Sequence, residues 1–222
     1  DAYIRPMEFS VNSQQHLEEL LVALQAVIDR HDMLRTALQW EGLSQPVQVV
    51  WRQAPLAVEE VQLSSEDAAK ELRERFDLRN YWLDVREAPL QKAFVAFDRQ
   101  QKRWLLLLLS HHLAFDHTAL EVMLNEVQAH LRGEQDRLAA PIPFREFVAQ
   151  TRLRVSAGEH EAFFRRMLGD IEEPTAPFDW RNVHGDGDGI AEAQRNVDAG
   201  LARAVRNRAV ASGVSAASLF HL

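Results

Sequence analysis

The sequence has no cysteine among its 222 residues. That excludes disulfides, thiolate metal sites and a cysteine nucleophile, and it fits any cellular compartment. Long apolar runs are missing too. The longest, Leu105 to Leu109, is far short of the roughly 20 residues a membrane-spanning helix needs. No basic stretch followed by an apolar one opens the chain, so no secretion signal is indicated and a cytoplasmic setting is expected. Basic excess is absent as well: Lys and Arg number 25 against 33 Asp and Glu, a net charge of −8. Phosphate binding needs a basic patch and none stands out, so a nucleic-acid surface is not expected. There is no internal repeat and no low-complexity tract. What remains is ordinary for a soluble globular protein, with 46% apolar and 26% charged residues. The length allows one large domain or two small ones.

The hydrophobic pattern alternates between two periods. Met7, Phe9 and Val11 alternate with Glu8 and Ser10, which predicts a half-buried strand. Ser13 can cap a helix in which Leu17, Leu20, Leu21, Leu24 and Ile28 recur at helical spacing to about Arg30. Val47 to Trp51 and Ala57 to Val61 read as short strands. A helix from Ser64 or Ser65 follows, with Leu72 and Phe76 on its buried side. Pro89 to Asp98 reads as a strand, and Trp104 to Ser110 as a strand buried on both faces. Thr118 and Glu121 form a capping-box pattern for a helix to about Arg132, which Gly133 ends. Phe144 to Leu168 is a further helical stretch. Gly169 to Gly189 is rich in Pro and Gly and is the best linker candidate. Ala199 to Ser212 is a helix, and the last residues open another. Helices and strands in this order predict a layered α/β sandwich. Asp1 stands where an initiating Met would, and a helix begun at the far end is not completed, so a fragment of a larger protein is expected.

The chemistry-bearing segment is His111-His112-Leu113-Ala114-Phe115-Asp116-His117. Two adjacent His stand where a buried strand ends and a helix is about to start, a place where a rigid scaffold aims side chains into a crevice. Neighbours on an extended segment point to opposite sides, so one His is structural and the other available. A neutral imidazole with an ordinary pKa of about 6.5 can take a proton and return it. Asp116 would then fix the turn or orient a His. The plainer alternative is a satisfied polar pair followed by a helix cap. A metal site is disfavoured, because neighbouring residues rarely converge on one ion and the His-Glu-x-x-His spacing is absent.

His-His-x-x-x-Asp after an apolar strand resembles the active-site motif of the condensation domains of nonribosomal peptide synthetases. The wider chloramphenicol acetyltransferase-like superfamily shares it. Arg30-His31-Asp32-Met33-Leu34-Arg35-Thr36-Ala37-Leu38 resembles the condensation-domain signature RHxxLRTxF at the end of the first helix. Asp84 to Leu90 resembles a segment that precedes a core strand, often ending in Pro-Leu. The three occur in family order. The resemblance implies a two-lobed domain of chloramphenicol acetyltransferase-like α/β sandwich fold. Residues 1–168 would be the N-terminal lobe. Residues 169–222 would be the linker and the start of a truncated C-terminal lobe, with the family's first motif before Asp1. Such a piece alone would be inactive.

By the same resemblance His112, the second His of the motif, is catalytic. The implied reaction joins a donor thioester to an acceptor amine, both delivered on phosphopantetheine arms of donor and acceptor carrier proteins beside an adenylation domain. No metal, directly bound cofactor, nucleic acid or membrane is implied. His111 would support the turn. Asp116 would be structural, ion-paired to Arg35. His117 stands where the family usually has Gly. It either sits without strain at the helix start or narrows the substrate tunnel. The His pair disfavours the heterocyclising subtype and leaves the epimerising one open. A non-catalytic carrier-docking module and a coenzyme A-dependent acetyltransferase stay open beside it. Of the remaining His, His31 belongs to the helix-end signature, and His16, His130, His160, His184 and His221 read as packing or surface residues. Asp186 and Asp188 hint at a calcium loop but lack the regular acidic spacing and closing Glu, so a solvated linker is preferred.

Overall fold

The computed structural model describes residues 3–154, 156–176, 193 and 195–220. The chain divides into two compact units, Asp1–Glu173 and Pro174–Leu222. In the first unit β1 (Ile4–Val11) leads into α1 (Gln14–Arg30), β2 (Thr36–Gln39), β3 (Val47–Val50) and β4 (Ala57–Glu60). Then come α2 (Ala68–Arg75), β5 (Gln91–Asp98), β6 (Arg103–His111), α3 (His117–Leu131), α4 (Phe144–Arg154) and α5 (Ala157–Leu168). The second unit contains α6 (Ala199–Ser212) and α7 (Ala216–Phe220).

The main sheet has the order β1-β6-β5-β4. β6 is antiparallel to both its neighbours, and β4 runs parallel to β5. This central placement explains the unbroken apolar run of β6, in which every residue from Leu105 to His111 is buried. Ala93, Val95, Leu106 and Leu108 face a core built with α1 and α3. Phe94, Ala96, Leu105, Leu107 and Leu109 face a second core with Ala68 and Leu72 of α2. Phe76 and Tyr81 close that side, Phe76 stacked 3.5 Å from Phe94 between ring centroids. The mixed α/β sandwich predicted from the pattern is therefore present, as helix, sheet and helix layers.

α1 forms because Ser13 caps it, accepting from the His16 N–H at 3.2 Å. Leu17, Leu20, Ala23, Leu24, Val27 and Ile28 then make one buried stripe. Burying one such Leu or Ile stabilises the fold by about 1.5–3 kcal/mol before entropy is counted. Several boundaries differ from those expected. β2 was not anticipated; it pairs with β3, Thr36 opposite Val50. α2 starts at Ala68 because Asp67, not a serine, caps it, accepting from the Lys70 N–H at 2.9 Å. The N–H groups of Ser64 and Ser65 are held by Glu71 instead, at 2.8 and 2.6 Å. The long helical stretch from Phe144 is two helices. Ser156 and Glu159 form a reciprocal capping box that starts α5 afresh. In the second unit Asp198 caps α6, and Gly213 ends it in the left-handed region at φ +66°, where a side chain would be strained. Of the expected linker, residues 177–189, with Asp186 and Asp188, lie outside the described residues.

Candidate active site

β6 delivers the two adjacent His to the mouth of a short loop before α3. The peptide N–H of His111 donates to the Leu90 carbonyl at 2.9 Å, and that of His112 to the Tyr3 carbonyl at 2.8 Å. The backbone is thus still part of the sheet through both residues, so their side chains diverge. His111 is buried on the strand, with the Tyr3 ring stacked 6.2 Å away between centroids. The His112 ring is half-buried and stacks on Phe115, centroids 6.0 Å apart. Phe115 and Ala114 belong to the core under α1 and α3, and they anchor the loop.

The two imidazoles carry opposite tautomers. The Leu113 N–H donates to His111 Nδ1 at 3.1 Å, so in the neutral ring the proton sits on Nε2. His112 Nδ1 lies 2.9 Å from the Phe115 carbonyl oxygen. A carbonyl oxygen only accepts, so Nδ1 of His112 carries the proton and, in the neutral ring, Nε2 keeps its lone pair. No described residue hydrogen-bonds that Nε2. Burial, and next the adjacent His112, push the His111 pKa below its ordinary value, which favours the neutral ring. The pair therefore has one imidazole absorbed by the scaffold and one whose Nε2 no described residue hydrogen-bonds.

Asp116 does not pair with Arg35, contrary to expectation. Its carboxylate caps α3, accepting from the Ala119 N–H at 2.8 Å. The free N–H groups of a helix start attract a carboxylate without any cation. This also corrects the cap: the helix begins at His117 behind Asp116, not behind Thr118. The Arg35 guanidinium donates to the Trp51 carbonyl, and the Trp51 N–H returns a bond to the Arg35 carbonyl at 2.8 Å. Among the described residues no ion pair links Arg35 to the motif loop. His117 is exposed at the first helical position, with Nε2 3.4 Å from Glu121 Oε1. Its φ is not positive, so a glycine is not required there for backbone reasons.

The other sequence signature gathers at the opposite end of α3. His31 Nε2 lies 2.7 Å from Glu126 Oε2, and Arg30 Nε lies 3.1 Å from the same oxygen. Glu126 was missed in the sequence, although a signal existed: it sits on the buried stripe of α3 with Met123 and Val127, where an acid is costly unless partnered. The Phe115 carbonyl, a backbone group, had no signal at all. Among the described residues no three His, Asp or Glu converge on a metal-sized site. A cavity of about 230 Å³ lies toward the other end of β6, lined by Glu8, Ser10, Leu72 and Arg103 among others, with none of the motif residues in its wall.

The sequence matches the family model described as Condensation domain over residues 1–221. The chain belongs to the condensation domain family. Malpibaldin synthetase of Mortierella alpina is 40% identical over 224 residues, which is 100% of this chain and 4% of that protein. A linear gramicidin synthase of Brevibacillus parabrevis is 30% identical over 186 residues, 80% of this chain and 4% of that protein. The chain thus spans a few per cent of the length of these relatives. In fold it is similar to the condensation domain of the monacolin K polyketide synthase MokA, with a TM-score of 0.68 and 16% identity over 96% of this chain and 51% of that one. It is also similar to SgcC5 of Streptomyces globisporus, with a TM-score of 0.64 and 24% identity over 96% of this chain and 50% of that one. The fold is the chloramphenicol acetyltransferase-like sandwich of condensation domains. Condensation domains are in general acyltransferase-type catalysts of synthetases, nonribosomal peptide synthetases among them.

Proposed function

We propose that this chain supplies the His112-bearing half of a condensation domain that forms amide bonds between carrier-bound substrates. Residues 1–168 act as the N-terminal lobe, and residues 169–222 as the linker and the start of the C-terminal lobe. A donor acyl or aminoacyl group arrives as a thioester on the phosphopantetheine arm of one peptidyl carrier protein. The acceptor amine arrives on a second carrier, loaded by an adjacent adenylation domain in the cytoplasm.

The single observation that carries the reading is the His112 Nδ1 bond to the Phe115 carbonyl at 2.9 Å, within the family motif. It leaves the Nε2 lone pair for the amine. The amine nitrogen attacks the thioester carbonyl, and a C–N bond forms as the oxyanion develops. The proton lost by nitrogen passes to His112 Nε2. The oxyanion collapses, the C–S bond breaks, and the departing thiolate takes that proton. A free α-amino group has a pKa of about 7.7–8.0, so a good fraction is already neutral and no strong base is needed. Holding the amine in line is therefore a second role of His112 beside proton removal. His111 acts as the neutral support of the strand end, and Asp116 as the cap that holds the loop.

The experiment is reconstitution of the full domain with donor- and acceptor-loaded carriers, read by mass spectrometry. A condensed product that depends on His112 supports the proposal. Carrier binding without product points to a docking module, and inversion of the donor stereocentre without condensation points to an epimerising domain.

A further inference from the structure

A buried acid that the reaction leaves unused is Glu126, which is 8% exposed on α3. One of its oxygens meets both His31 Nε2 and Arg30 Nε. Arg30 also donates through Nη2 to the Ala139 carbonyl, beyond the end of α3. The next residue but one, Asp32, accepts from the Phe144 N–H at 2.9 Å, at the start of α4. Thr36 returns its hydroxyl to the Asp32 carbonyl at 2.7 Å. Three consecutive residues at the end of α1 thus grip α3 and the chain that follows it.

We propose that Glu126 is a positioning residue for His112, acting through the Arg30–His31–Glu126 clasp. Resting on His112 as the reactive group, the argument is mechanical. Ten residues of helix separate Glu126 from the Asp116 cap, about 15 Å at the usual rise per residue. Over that span α3 is a stiff rod. Its apolar contacts at Met123 and Val127 hold it against the core through a non-directional attraction. The His31–Glu126 hydrogen bond adds a directional constraint on its rotation and its slide along the axis, with the Arg30 charge held beside it as an ion pair. The loop between β6 and α3 is too short to absorb a displacement of the rod. A displaced α3 therefore displaces the Phe115 carbonyl, and with it the bond that selects the His112 tautomer. The role of the Arg-His pair in the signature is thus to anchor the helix that carries the reactive loop.

The test uses the full domain in its parent synthetase module, labelled with ¹⁵N-histidine, with turnover and His112 imidazole signals measured together. Glu126→Ala should lower kcat on the order of 10- to 100-fold, the range expected for a misplacement of about 1 Å, with little change in acceptor KM. The His112 signals should pass from a single Nδ1–H form to a mixture. Glu126→Gln keeps an acceptor oxygen for His31 and should recover most of the rate and the single form. Leu20→Ala weakens the same α1 core without touching the clasp and should lower thermal stability while leaving both readouts unchanged. Wild-type kcat and tautomer in Glu126→Ala, or equal changes in Leu20→Ala, overturn the proposal. If Glu126→Ala does not fold, His31→Ala, which leaves Arg30 on Glu126, must give the same two changes, and wild-type values there overturn it equally. A mixed tautomer with undiminished turnover upholds the positioning and removes His112 from the chemistry.

Discussion

Removing the Asp116 carboxylate distinguishes a helix cap from a buried ion pair by magnitude alone. The structure gives Asp116 one side-chain bond, to the Ala119 N–H at 2.8 Å, at an exposed helix start. Losing an Asp cap to Ala costs about 0.5–2 kcal/mol. A buried pair with Arg35 would raise that to roughly 3–5 kcal/mol, because the guanidinium would be left uncompensated. Asp116→Asn sharpens the comparison. Asn caps about as well as Asp and forfeits only the charge–dipole contribution, about 0.3–1 kcal/mol. Urea unfolding of the full domain is the assay, with the midpoint shifting at constant slope. We expect Asp116→Ala to cost about 1 kcal/mol and Asn to recover at least half of it. In a double-mutant cycle with Arg35→Met, the coupling energy should stay below about 0.5 kcal/mol, as for independent sites. A loss near 4 kcal/mol, no rescue by Asn, and coupling above roughly 2 kcal/mol would refute the cap as the whole role of Asp116.

Three further outcomes are expected. His112→Ala in the full domain should abolish or greatly reduce product by mass spectrometry while circular dichroism stays native; full turnover with several acceptors would remove His112 from the reaction. Because the folded pKa of His111 lies below the unfolded value of about 6.5, the unfolded chain binds more protons just below that pH, so stability should fall as pH drops through it. A His111→Asn variant should lose that part of the pH dependence, and an unchanged slope would show that His111 is not buried neutral. His117→Gly should leave turnover of the native acceptor nearly unchanged, since His117 is exposed and unstrained; a large shift in acceptor preference would put it in the tunnel.

The layers of the fold were legible because burial repeats at two periods: the α1 stripe and the leucine run of β6 each announce themselves locally. The motif loop was legible through its residue types and its place between strand and helix. The misread boundaries share one cause. Several residues near each helix start could cap it, and only the folded chain shows which does: Asp67 displaced two serines, and Asp116 displaced Thr118. β2 lies within the segment that the signature assigns to the end of the first helix, and that assignment hid it. The Arg35–Asp116 pairing failed because a carboxylate beside a helix start already has unbonded N–H groups to satisfy, and the Trp51 carbonyl occupied the guanidinium. The His112 tautomer depends on a main-chain carbonyl, which no pattern of side chains encodes.

The five leucines of β6 have a consequence for how the sheet aligns. Identical residues carry no information about offset: sliding β6 by one position would still set leucine against both cores. The alignment is written at the two ends of the run. Arg103 meets Asp98 at 3.4 Å on one side, and buried Ser110 stands opposite buried Gln91 on the other. A slip would part Arg103 from Asp98 and set Ser110 and Gln91 opposite different neighbours. It would also exchange the two histidines, turning His111 toward the Phe115 loop and His112 toward the α2 side. Uniform in its middle, β6 works as a ruler whose only marks are at its ends, and those marks decide which imidazole meets the Phe115 carbonyl.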